Sequence, residues 1–104
     1  MVAQADVARL QELIREYSLV RQEITAVRAR LAELREARRV LEKASPKTVF
    51  RSVGGLLIEV PPEEARRYVE DEIEVLELRL RKLEEQEKKL LGAIRELEKK
   101  LGLR

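Results

Sequence analysis

Glu63-Glu64 and Asp71-Glu72 are adjacent carboxylates, the grouping that general acid–base chemistry most often draws on in a chain without histidine. Both pairs fall in a charge-rich helical pattern and face water, with no cleft around them. The chain has no His and no Cys. The commonest general base, thiolate nucleophiles, disulfides and the usual zinc ligands are therefore all absent. Gly54-Gly55 lacks the Lys-Ser/Thr of a phosphate-binding loop and opens no helix. No enzyme activity, metal or cofactor is expected. The remaining chemistry is apolar contact, so function must follow from where apolar residues gather and what leaves them uncovered.

Composition narrows the elements that can position them. In 104 residues, 40% are charged and 3% aromatic. That excludes a bulky aromatic core and, with sustained apolar periodicity, indicates long helices or coiled coil. Net charge is +2, and both halves mix the signs: nine basic and seven acidic groups in residues 1–45, eleven and twelve in 62–104. No basic block stands apart, so no nucleic-acid partner is expected. No run approaches the roughly 18 apolar residues of a membrane span, nor is there a signal-peptide run. A cytoplasmic protein with no membrane partner is expected. Asn is absent and Met1 is the sole Met, while Arg and Glu abound; this composition points to a thermophilic source.

The first half carries apolar residues at steps of three and four: Leu10, Leu13, Tyr17, Val20, Ile24, Val27, Leu31, Leu34, then Arg38 and Leu41. These are a and d positions of a coiled-coil seam. Ser45-Pro46 should end the helix. The second half mirrors the first through Val69, Ile73, Leu76, Leu80, Leu83, Glu87, Leu90, Ile94, Leu97 and Leu101. Pro61-Pro62 and Glu63-Glu64 make a favourable helix start, and Gly102 a favourable end. Each helix should span roughly 60 Å. Equal lengths and a short connection predict one antiparallel hairpin of helices, with paired residue numbers adding to about 107. Glu87 then falls beside Arg21, half-exposed and paired, acting on register. The expected organisation is a single domain over 1–104: helix 1–45, β-hairpin 48–60, helix 62–102.

Between the helices, Thr48–Val53 and Leu56–Val60 are β-prone and joined by Gly-Gly, which supplies the positive φ of a tight hairpin turn. The expected register pairs Val53 with Leu56, Arg51 with Ile58 and Val49 with Val60 on one face, and Ser52 with Leu57 and Phe50 with Glu59 on the other. Apolar groups lie on both faces, and both edges are open. An isolated two-stranded hairpin is marginal in water. Edge-to-edge pairing of hairpins from several chains into a β-barrel solves this. Val49, Phe50, Val53, Leu56, Leu57, Ile58 and Val60 are the expected oligomerisation residues. The fold class is mainly α: a two-helix coiled coil joined by one β-hairpin that oligomerises.

The order of helix, a single hairpin reading VGGLLIEV, an acidic helix start and LELRLRKLEEQEKKLLGAIREL resembles the β-type subunits of archaeal prefoldin over nearly the whole chain. The resemblance implies a hexamer of two α-type and four β-type subunits. Their hairpins would form a platform from which the coiled coils hang. The coil tips would hold unfolded polypeptides and pass them to a group II chaperonin without ATP.

The residues add a point of their own. The e positions along the seam are charged at Arg21, Arg28, Arg35, Glu70, Glu77 and Glu84 but apolar near the termini at Val7, Ile14 and Leu91, with Val2 and Leu103 nearby. The apolar stripe widens where the helices end, so part of it should be exposed. The expected client-binding residues are Val2, Val7, Leu10, Leu13, Ile14, Leu91, Ile94, Leu97, Leu101 and Leu103. Leu19, Val75 and Leu78 also lie off the seam, which reduces the contrast. The alternative is a structural scaffold or adaptor that merely oligomerises through its hairpin.

Overall fold

Two helices and two strands follow one another as α1 (Gln4–Ala44), β1 (Val49–Val53), β2 (Leu56–Val60) and α2 (Pro62–Lys100) in a computed structural model that describes residues 4–103. The ends of each helix have local causes. At the C-terminus of α1, Ser45 takes a left-handed φ of 42° and its hydroxyl donates to the Glu42 carbonyl (3.4 Å). Pro46 then prevents continuation. Pro61 supplies the first acceptor of α2, its carbonyl receiving the Ala65 amide at 3.1 Å, and Pro62 occupies the first helical position. Glu63 and Glu64 sit in that first turn, where the helix dipole favours carboxylates. At the far end Gly102 has φ 74°. The Leu103 amide donates to the Glu98 carbonyl (2.8 Å) and the Gly102 amide to the Lys99 carbonyl (3.1 Å), a Schellman closure.

The strands pair antiparallel in the expected register: Val49 with Val60, Phe50 with Glu59, Arg51 with Ile58, Ser52 with Leu57 and Val53 with Leu56. Gly54 and Gly55 both have positive φ, 56° and 83°. That is the signature of the primed turn whose twist matches a hairpin.

The chain divides into two compact units, Met1–Val27 with Arg79–Arg104, and Arg28–Leu78. In the first, Leu10, Leu13, Val20, Ile24, Val27, Leu83, Leu90 and Ile94 are buried. In the second, Leu31, Leu34, Leu41 and Ile73 are buried. Every one of these is an expected a or d residue, and no polar or charged residue is buried among those described. Ion pairs between α1 and α2 fix the antiparallel sense within each unit. Arg21 Nη1 meets Glu87 Oε2 at 2.6 Å, Arg79 Nη2 meets Glu23 Oε2 at 2.5 Å, and Lys100 Nζ meets Asp6 Oδ2 at 3.1 Å in the first. Arg35 Nη2 meets Glu77 Oε2 at 3.1 Å, and Arg38 Nη1 meets Glu70 Oε2 at 3.7 Å, in the second. Partner numbers add to between 102 and 112, bracketing the expected 107.

Candidate functional site

The unit Arg28–Leu78 carries the hairpin, and the hairpin is bare. Leu56 and Leu57 are 67% and 72% exposed, and Phe50, Val53 and Ile58 are also exposed. Val49 and Val60 alone among the expected oligomerisation residues are half-buried, because they sit where the strands meet the helices. Alternation puts Val53, Leu56 and Ile58 on one face and Phe50 and Leu57 on the other, so neither face is polar. Five uncovered large apolar side chains on ten strand residues, divided between the two faces, are a concentration of exposed apolar surface of the kind that marks an interaction surface.

The hairpin is anchored to the helices on one side. The Arg51 guanidinium lies 4.0 Å from the centre of the Tyr68 ring, a cation–π contact from β1 to α2. Beneath β1 runs an open groove of about 670 Å³, walled by Leu34, Ala37 and Val40 of α1, Phe50 of β1, and Tyr68 and Val69 of α2. Two of its rim carboxylates, Glu33 and Glu36, are paired within α1. Arg30 pairs with Glu33 at 3.2 Å, and Arg39 pairs with Glu36 through two contacts, Nη2–Oε1 at 2.6 Å and Nε–Oε2 at 2.9 Å. The hydrogen bond from Arg39 holds the Glu36 carboxyl below the ordinary carboxylate range and raises the Arg39 guanidinium above its own. Val40, exposed on the groove wall, is an apolar residue that sequence reasoning missed. It lies off the seam, and only the position of the hairpin gives it neighbours.

The unit formed by residues 1–27 and 79–104 holds the helix ends. Val7, Ile14 and Leu103 are exposed there, and Leu91, Leu97 and Leu101 are half-buried. Leu10, Leu13 and Ile94 are packed into the seam. Val2 lies outside the described residues. Apolar exposure in this unit is not confined to the ends, since Leu19 is 60% exposed; in the hairpin unit Val75 and Leu78 are exposed too. Glu87 keeps 20% of its side chain accessible and bonds Arg21, which is more exposed. That bond raises the Arg21 pKa above its ordinary value. Among the described residues no group of His, Cys, Asp or Glu is arranged to hold a metal ion. Nor is any helix long and apolar enough to cross a membrane.

Heptad-packed helices running antiparallel, joined by a β-hairpin whose large apolar side chains are exposed, define a coiled-coil hairpin protein. Comparison with known proteins agrees with this class. The family described as "Prefoldin subunit" matches residues 4–102. Prefoldin subunit beta of Thermococcus onnurineus is 33% identical over 99 residues, covering 94% of this chain and 85% of the relative. The corresponding subunit of Pyrococcus furiosus is 32% identical, with the same coverage. The crystal structure of the prefoldin beta subunit from Thermococcus strain KS-1 superposes with a TM-score of 0.82 at 32% identity, covering 93% of this chain and 86% of that one. The chain belongs to the prefoldin family, and its relatives here are β-type subunits from thermophilic archaea.

Proposed function

We propose that this chain is one subunit of an ATP-independent holding chaperone, assembled through its hairpin and gripping unfolded polypeptides at the ends of its paired helices. The carrying observation is the bare hairpin of a prefoldin-family chain. A hairpin apolar on both faces has no stable place in water unless other hairpins cover it. The expected partners are α-type subunits, two for every four chains of this type. Unfolded clients and a group II chaperonin that receives them complete the set.

The grip rests on Val7, Ile14 and Leu103, supported by Leu91, Leu97 and Leu101. Leu10, Leu13 and Ile94 join only if the helix ends part. Burying one such side chain contributes roughly 1.5–3 kcal/mol before ordering is counted against it. Several helix ends around one client raise the effective affinity without making release slow. That combination suits a holdase, which must bind many sequences and let go of each.

The test compares suppression of aggregation of an unfolded client by wild-type assemblies and by assemblies carrying Val7→Ser, Ile14→Ser, Leu91→Ser and Leu103→Ser. Native mass should be unchanged, and protection should fall several-fold. Full protection by the variant would place the client elsewhere and favour the scaffold reading.

A further inference from the structure

The strands of the hairpin bond to each other. Among the described residues, no hydrogen bond or ion pair runs from a side chain of residues 49–60 to either helix. One polar contact breaks this isolation: the Arg51 guanidinium stands 4.0 Å from the centre of the Tyr68 ring. Tyr68 is half-buried, adjoins the seam residue Val69 and walls the groove beneath β1. Strand alternation places Arg51 on the face of Val49, Val53, Leu56, Ile58 and Val60, where it is the sole charged residue. Resting on Tyr68, its charge is turned back toward α2. Val53, Leu56 and Ile58, all exposed, then form the apolar remainder of that face.

We infer that the Arg51–Tyr68 contact is an assembly latch, which fixes the hairpin on α2 and withdraws the one charge from the face that meets a partner hairpin. This role rests on assembly through the hairpin as proposed above, and it makes Arg51 and Tyr68 positioning residues. The physical reason lies in how water weakens the contact. A cation over an aromatic ring attracts weakly at an exposed site and more strongly once water is excluded. Arg51 is exposed in the single chain. A neighbouring hairpin packed over Val53 and Ile58 shields the guanidinium, so the contact is stronger in the assembly than in the free chain. Any interaction stronger in one state shifts the equilibrium toward that state. Without the ring, the same guanidinium loses water and gains nothing, which opposes assembly. A hairpin already held at one angle also has less freedom to lose on association. Burial alone predicts the opposite sign, since an apolar face relieved of its charge should assemble more tightly.

The test measures, by light scattering, the concentration at which half of the full-length chain is assembled with an α-type subunit. Arg51→Gln and Tyr68→Leu should each raise that concentration by roughly three- to tenfold. Tyr68→Phe keeps the ring and Arg51→Lys keeps a cation, so both should stay close to wild type. The double variant Arg51→Gln, Tyr68→Leu should be no weaker than the weaker single, because either change alone breaks the contact. Helical signal and melting of the unmixed chains should match wild type. Arg51→Gln, at an exposed strand position, tests the latch even where Tyr68→Leu disturbs α2. Assembly of Arg51→Gln as tight as wild type or tighter, or losses that add in the double variant, overturn the latch. Leu56→Asp with Ile58→Asp separates the two readings. If that pair abolishes assembly while Arg51→Gln does not weaken it, the latch alone falls; if the pair leaves assembly intact, assembly through the hairpin falls and the latch with it.

Discussion

Glu87 stands at a seam position where leucine would pack better, and Arg21 holds its carboxylate at 2.6 Å from a largely solvent-exposed position. Such an exposed pair contributes only about 0.2–1 kcal/mol, whereas a half-buried leucine gains more. Glu87→Leu should therefore raise the thermal midpoint by several degrees, Arg21 being free to extend into water. A marked loss on melting would show that the carboxylate has a role Leu cannot fill, such as excluding shifted registers. Gly92 gives a sharper case. It lies inside α2 with open space where a Cβ would go. Gly92→Ala should stabilise the helix by about 0.8–1 kcal/mol, the propensity difference alone. Urea unfolding checks this, and no gain would mean that α2 is not continuously helical there in solution.

The two helices and the hairpin were legible because their determinants are local. Steps of three and four placed Leu31, Leu34, Ile73 and Leu83 in the core, and Gly-Gly between β-prone runs set the strand register. The hairpin turn should be the most sensitive element to a small substitution. Gly55 has φ 83°, and an L-residue there meets a penalty of roughly 1–2 kcal/mol. Gly55→Ala should accelerate amide exchange across the Val53–Leu56 pair while leaving the Ile24 and Leu31 amides unaffected. Equal protection of the hairpin in both proteins would mean that partner chains, not the turn, hold it. The groove beneath β1 was not legible. Periodicity says nothing about the angle at which a hairpin leaves a helix. That angle depends on the Pro46 and Pro61 connections and on the Arg51–Tyr68 contact, which no spacing rule encodes. Val40 therefore carried no signal in the sequence.

For the molecule as a whole, the decisive asymmetry is between a seam that satisfies itself and a hairpin that does not. Buried apolar side chains and ion pairs across α1 and α2 give the helices closure within the chain. The hairpin has no such closure, with Phe50, Val53, Leu56, Leu57 and Ile58 all exposed. Folding and assembly should thus be separable by mutation. Leu56 and Ile58 lie on one face of β2, opposite Val53 and Arg51. Leu56→Asp with Ile58→Asp would place two charges where a neighbouring hairpin must pack, and burying either unpaired carries a large desolvation penalty. In the uncombined chain the same aspartates face water, so the helices should retain nearly all their circular dichroism signal. Light scattering after size exclusion, on the chain mixed with an α-type subunit, should then report a single chain in place of a multi-chain particle. If the native mass is unchanged, the assembly surface lies elsewhere. The groove walled by Val40 and Tyr68 would then be the next place to seek it, because it is a further apolar surface that the hairpin unit leaves open.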